Sequence, residues 1–185
     1  GAEPRARAER EPAGCPDALQ APAALGKSFR FGDLAVVGIA GEETLLDALD
    51  EARRSQLVDE EGGEDRFTFT HDKIREVLYA GMNPIRRRRL HLRIGESLLA
   101  SWGAAAAPHA EALALHFHEG GDHERALTWA VKAAEQAEAV YAHDEAVEYY
   151  QRAVGCARAL ARPEVEAELE KGMGEVGFRA RAVPV

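Results

Sequence analysis

The side chains here that could carry chemistry are histidines, arginines and two glycine-rich runs, and their spacing narrows what that chemistry can be. His71-Asp72 falls at a junction. The run Arg66-Phe67-Thr68-Phe69-Thr70 alternates apolar and polar, and beyond it the period turns helical, with Ile74, Val77, Leu78 and Met82 on one stripe. An imidazole at such a strand-to-helix joint can at the least satisfy backbone groups there. His109, His116, His118, His123 and His143 raise the question of a metal. His116 and His118 are two apart on a helix and face different ways, unlike the i, i+4 pair of a zinc helix, and no cysteine or carboxylate sits at matching spacing. Structural or surface histidines are therefore expected, and no metal. Ser28, Ser55, Ser97 and Ser101 lack an elbow motif and Cys156 falls inside a helical pattern, so no catalytic constellation emerges and an enzyme is not expected.

Two phosphate-binding look-alikes fail on context. Gly26-Lys27-Ser28 has the tail of a P-loop, but Ala21 stands where its first glycine belongs and no buried strand precedes it. Gly172-Met173-Gly174-Glu175-Val176-Gly177 spells the dinucleotide fingerprint without a preceding strand or a βαβ unit. The basic run Arg86 to Arg89, with Arg93, lies on a helix. It could meet nucleic acid or an acidic partner, though a solvated or salt-bridged face is the commoner outcome.

These groups must be positioned by a chain of 185 residues, enough for one domain or two small ones. Hydrophobic residues make up 46% but aromatics only 6%, a balance rich in alanine that favours closely packed helices. A net charge of −9 works against general nucleic-acid binding. Cys15 and Cys156 are too isolated for a disulfide framework, and no apolar run approaches the length of a membrane span, so a cytoplasmic protein without membrane contact is expected.

In chain order, residues 1–17 read as a disordered lead-in. Residues 18–82 read as a small mixed domain: a helix closing at Gly26, a short segment holding Leu34, Val36, Val37 and Ile39, and a helix capped by Gly41 that buries Leu45, Leu46, Leu49 and Ala52. A hairpin follows, from Leu57-Val58 through an acidic loop over Asp59 to Asp65 and back along Arg66 to Thr70. Three helices then a hairpin is the order of a winged-helix domain. Residues 83–107 read as a connecting helix opened by Asn83-Pro84, with Leu90, Ile94, Leu98 and Trp102 in one track. Residues 108–179 read as helical repeats, starting at Pro108, because Asp122-His123-Glu124-Arg125-Ala126 lines up with Ala142-His143-Asp144-Glu145-Ala146. Pro163 opens the last helix, with Val165, Leu169, Met173 and Val176 inward; residues 180–185 form a tail, and an array ending without a capping helix suggests a fragment. The expected fold is mainly α: a winged helix with a short β-hairpin, then a tetratricopeptide-like array.

Phe69 to Tyr79, then Arg86-Arg87-Arg88-Arg89-Leu90-His91, then Gly121-Asp122-His123-Glu124-Arg125-Ala126-Leu127, in that order and spacing, resemble the bacterial STAND-class signal-transduction ATPases, among them the LuxR-type large regulators and the cyclase-linked predicted ATPases. The resemblance covers residues 24–160. It implies an upstream P-loop ATPase domain, absent from this sequence, that binds ATP or ADP and against which the winged helix packs. It also implies that His71 faces the bound ADP, with Asp72 bracing the helix start. Thr70 stands where the eukaryotic and plant relatives carry methionine.

The preferred reading is thus a non-catalytic regulatory and interaction segment, with no cofactor of its own. It would couple nucleotide state through His71 to a protein or small-ligand signal sensed at the repeats. Arg86 and Arg87 are the candidate partner contacts on the basic helix. Trp129 and Tyr149, with Tyr141 and Tyr150, are those near a concave face, where packing of the repeats uses the same positions. The alternative is a stand-alone winged-helix DNA-binding regulator. Against it, Glu42, Glu43, Asp47, Asp50 and Glu51 outnumber Arg53 and Arg54 on the third helix, and the wing is acidic too, so DNA is not an expected partner. A small metal-dependent enzyme is the third possibility.

Overall fold

The computed structural model describes residues 19–62 and 65–182. The lead-in expected over residues 1–17, the tip of the hairpin loop and the last three residues of the tail lie outside them. The described residues are mainly helical with one small three-stranded antiparallel sheet, and the chain divides into two compact units, 1–82 and 83–185.

The first unit runs α1 (Gln20–Leu25), β1 (Ser28–Arg30), α2 (Phe31–Val37), α3 (Glu42–Arg54), β2 (Val58–Glu61), β3 (Arg66–Phe69) and α4 (Asp72–Ala80). Alternation in β3 sends Phe67 and Phe69 inward, and β1 adds Phe29 beside them, with ring centroids 5.9 Å from each. On the other face the Ser28 and Thr68 hydroxyls share a hydrogen bond of 2.7 Å. The sheet order is β1-β3-β2, with Phe29 opposite Phe67 and Val58 opposite Phe69.

Three expectations change here. β1 was not foreseen, because three residues are too few to show alternation. Asp59, Glu60 and Glu61 belong to β2 rather than to the loop, since their backbones pair with Thr68, Phe67 and Arg66 while their carboxylates point to water. Leu46 and Val77, placed on buried stripes, are 40% and 62% exposed. α3 is covered along Leu45, Leu49 and Ala52 alone, and α4 has no fully buried residue. Gly41 caps α3 as expected, with Glu42 and Glu43 in the first turn.

The second unit begins with α5 (Pro84–Trp102). The Asn83 side chain caps it by accepting from the Ile85 amide at 2.9 Å, and Pro84 sits at the first helical position. Its buried line is His91, Ile94, Gly95 and Leu98; Ile94 and Leu98 of the expected track are buried, whereas its ends Leu90 and Trp102 are only half-buried. A 3₁₀ stretch, Gly103–His109, follows; Pro108 therefore lies inside it and the next helix starts two residues later. Four helices complete the unit: α6 (Ala110–Gly120), α7 (His123–Ala139), α8 (His143–Ala159) and α9 (Pro163–Ala182). From α5 to α9 each helix packs on its neighbours in sequence.

α7, α8 and α9 start at residues 123, 143 and 163, a constant step of 20. The turns between them repeat atom for atom. Gly121, Tyr141 and Ala161 all take left-handed backbone, with φ of 76°, 61° and 54°. Their amides bond back to His118, Glu138 and Arg158 carbonyls at 2.9, 3.0 and 3.0 Å, and the following amides reach Phe117, Ala137 and Ala157. This is one helix-stop motif used three times. Alanine at Ala126, Ala130, Ala134, Ala146, Ala153 and Ala157 lets the helix axes approach closely. The tightest approach is at Gly120, where a Cβ would stand 2.9 Å from the Leu92 backbone.

Candidate functional site

His71 occupies the N-cap position of α4, with extended backbone (φ −138°, ψ 133°). Its carbonyl accepts from the Ile74 amide at 3.0 Å. Its imidazole is exposed and caps no amide, so bracing the joint is left to other groups. Asp72 sits in the first turn and pairs with Lys27 at 3.1 Å, both of them well exposed; such a pair contributes at most about 1 kcal/mol. Thr70 closes the joint from the strand side, its hydroxyl donating to the Gln56 carbonyl at 2.8 Å. The half-buried Ile74 and Leu78 and the exposed Val77 leave α4 only partly covered. The arrangement offers an exposed imidazole at a strand-to-helix joint, on a helix whose one exposed large apolar side chain is Val77.

The basic run divides by direction. Arg86 is exposed, and Arg87 is half-buried and close enough to His91 to oppose its protonation. Arg88 turns inward: its Nε donates to the Gly120 carbonyl at 3.1 Å, and its guanidinium lies where a Cβ on Gly121 would have to go. Arg88 and Arg89, with Gly121, Asp122 and His123, line an open groove of about 650 Å³. The α3 arginines are tied to carboxylates, Arg54 to Glu51 at 2.8 Å and Arg53 to Glu60 at 3.3 Å.

Trp129 and Tyr149 hold the same register on α7 and α8, and each lies under a cation three residues on. Lys132 is 4.8 Å from the indole centroid and Arg152 6.0 Å from the phenol centroid. Both rings are half-buried. Burial, with Glu111 alongside, pushes the Tyr149 hydroxyl up to about 12. Tyr150 donates to Glu138 at 2.8 Å, and burial and that carboxylate also push it to about 12. Tyr141 is 82% exposed at the α7–α8 turn. Trp129 and Tyr149 are therefore packed on one side and open on the other.

The remaining histidines gather as spacing along one helix could not show. His91 of α5 and His116 of α6 face each other with their Nδ1 atoms 2.9 Å apart, both 2% exposed. One Nδ1 must carry the proton and the other accept it, so the accepting ring is neutral. Burial lowers them to about 4 and about 3. A second group joins three helices: His118 near the end of α6, His123 at the start of α7 and Cys156 of α8 place one nitrogen or sulfur each within 4.8 Å of one another. The Cys156 sulfur and His118 Nδ1 are 3.5 Å apart. Cys156 is fully buried, and burial raises its thiol and lowers His118. Sequence reasoning tested pairs within a helix and so missed both groups. The 20-residue register, which sets one helix beside the next, was the available signal.

At the α6–α7 turn Asp122 caps α7, accepting from the Arg125 amide at 2.9 Å and from its Nε at 2.7 Å. Burial pushes the Asp122 carboxyl up, but Arg125 outweighs it and holds the group below the usual range. Arg125 continues to Glu96 at 2.9 Å and covers the Phe117 ring at 4.3 Å, fastening the turn to α5 and α6.

No family model, no curated protein and no solved structure matches this chain.

Proposed function

We propose that this chain is a non-catalytic regulatory segment of a longer STAND-type ATPase, in which the first unit reports nucleotide state and the second receives a protein or small-ligand signal. The observation that carries the reading is the exposed, unengaged imidazole of His71 at the β3–α4 joint. A histidine with no structural duty, held at a strand-to-helix joint, suits contact with a phosphate presented by another domain. The element order α-β-α-α-β-β with sheet order β1-β3-β2 is that of a winged helix, which supports the reading. The repeated helix-stop motif of the second unit supports a tetratricopeptide-like array. Its two-helix period of 40 residues, from His123 to Pro163, is longer than the roughly 34 of the consensus repeat. The half-open rings of Trp129 and Tyr149 and the exposed Arg86 are the contacts offered to a partner, and Val77 is that offered to the upstream domain. A cytoplasmic location follows from the same reading.

The alternative, a stand-alone DNA-binding regulator, needs α3 to meet phosphate. Its two arginines are already paired with carboxylates, and the strand beyond it is acidic. An antibody against this piece tests the proposal: in the native cell it should detect a polypeptide far heavier than 20.1 kDa. A band at that mass would remove the upstream domain and with it the role of His71.

A further inference from the structure

We propose that His118, His123 and Cys156 form a zinc-binding site that clamps α6, α7 and α8 together, with a fourth position open to water. The argument rests on distances and on the repeat itself. Zinc bound tetrahedrally at about 2.3 Å from sulfur and 2.0–2.1 Å from nitrogen sets its ligand atoms about 3.4–3.6 Å apart. The His118 Nδ1 to Cys156 Sγ separation is 3.5 Å, already at that value. The other edges do not exceed 4.8 Å, longer than a tetrahedral edge, so binding requires the ligand atoms to draw closer. The two imidazoles meet edge-on, centroids 6.2 Å apart and planes at 70°, so they can converge on one point without stacking. His123 Nδ1 is buried with no hydrogen-bond partner, as is His143 Nδ1 at the equivalent place, so that atom alone does not mark a site.

The array supplies its own control. Twenty residues on, the equivalent positions are Glu138, His143 and Val176. His143 repeats the buried, unpartnered Nδ1 of His123. Glu138, however, accepts from Tyr150 at 2.8 Å and from Arg179 at 3.2 Å, and Val176 sits in an apolar cluster with Ala137 and Ala146. The repeat therefore needs only a small apolar side chain where Cys156 stands and a surface-seeking one where His118 stands. A thiol set against an imidazole at those two places is not required by packing.

The surrounding charges act in both directions. Glu119 favours a cation near His118, whereas Arg152 opposes the cation but favours the Cys156 thiolate. Binding is balanced by one proton: the Cys156 S–H bond breaks, the proton leaves to solvent, and the sulfur pair bonds the metal. Affinity should thus rise about tenfold per pH unit while the thiol is protonated.

The test is a titration of the purified, chelator-treated chain with cobalt(II), followed by displacement with zinc. Expected are one equivalent bound, a sulfur-to-cobalt charge-transfer band, tetrahedral visible bands, and a melting temperature that rises with free zinc. Cys156→Ala should lose the charge-transfer band and at least a hundredfold in affinity, and His123→Ala at least tenfold. His143→Ala should change neither. A wild-type chain with no charge-transfer band, or zinc binding that survives Cys156→Ala, would mean adventitious metal only and overturn the site. If Cys156→Ala fails to fold, the His123→Ala and His143→Ala pair, both on half-buried rings at helix starts, decides the matter alone.

Discussion

His71 of the first unit and four histidines of the second sit in opposite circumstances. His71 of the first unit stands in water at a corner and binds nothing within the described residues, whereas His91, His116, His118 and His123 of the second are wholly or partly buried between helices. Histidine is the side chain whose charge a modest change of environment reverses. Placed outside, it is open to a ligand; placed between helices, it packs against neighbouring side chains. That difference between His71 and the histidines held between helices can be broken at several points.

The largest effect should come from acid. His91 and His116 titrate near 6.5 when unfolded but near 4 and 3 when folded, so the folded state binds fewer protons. The stability this pair contributes is complete above pH 6.5 and is lost as pH falls toward 4 and 3. The loss should be on the order of 3 kcal/mol or more. Protonating the acceptor also sets one N–H against another across the 2.9 Å contact. Both tryptophans, Trp102 and Trp129, lie in the second unit, so their fluorescence should report denaturant unfolding at progressively lower midpoints below pH 6. The pair His91→Leu with His116→Leu should remove most of that slope; an unchanged slope would place the acid sensitivity elsewhere.

A smaller loss should follow Gly120→Ala, since a Cβ 2.9 Å from the Leu92 backbone has no flexible neighbour to displace. The expected cost is about 1–3 kcal/mol, read as a lower denaturant midpoint with no change in the first unit. Smaller still, and of opposite sign, are Tyr141→Gly and Ala161→Gly. Each relieves left-handed backbone at a turn where the first copy already has Gly121, and each should stabilise by about 0.5–1 kcal/mol. If both destabilise, the three turns are not equivalent.

Much of the second unit was legible because its signals are local and periodic. Asn83-Pro84, Gly121 and the paired patterns at Asp122 and Ala142 each declare a helix end through backbone chemistry alone. The inward line of α9, Leu169 and Val176 with Met173 and Val165 partly covered, was legible for the same reason. What failed were features decided by a neighbour. β1 exists because β3 offers it an edge, and Asp59 to Glu61 become strand through pairing despite acidic side chains. Val77 is apolar and helical yet exposed, since no described residue of its unit covers that face. The His118, His123 and Cys156 group depends on three helices at once, and only the 20-residue step could have brought them together on paper.

The smallest expected effect on stability belongs to His71→Ala, within about 0.5 kcal/mol, because the imidazole makes no contact to lose. That neutrality makes it the cleanest probe of the central claim. Bound ADP should be measured on the native-length protein with and without His71→Ala. The expected result is a dissociation constant raised about tenfold, the roughly 1.4 kcal/mol of one lost charge-assisted contact, with melting of the nucleotide-free protein unchanged. Equal ADP affinity in the two proteins would contradict the account.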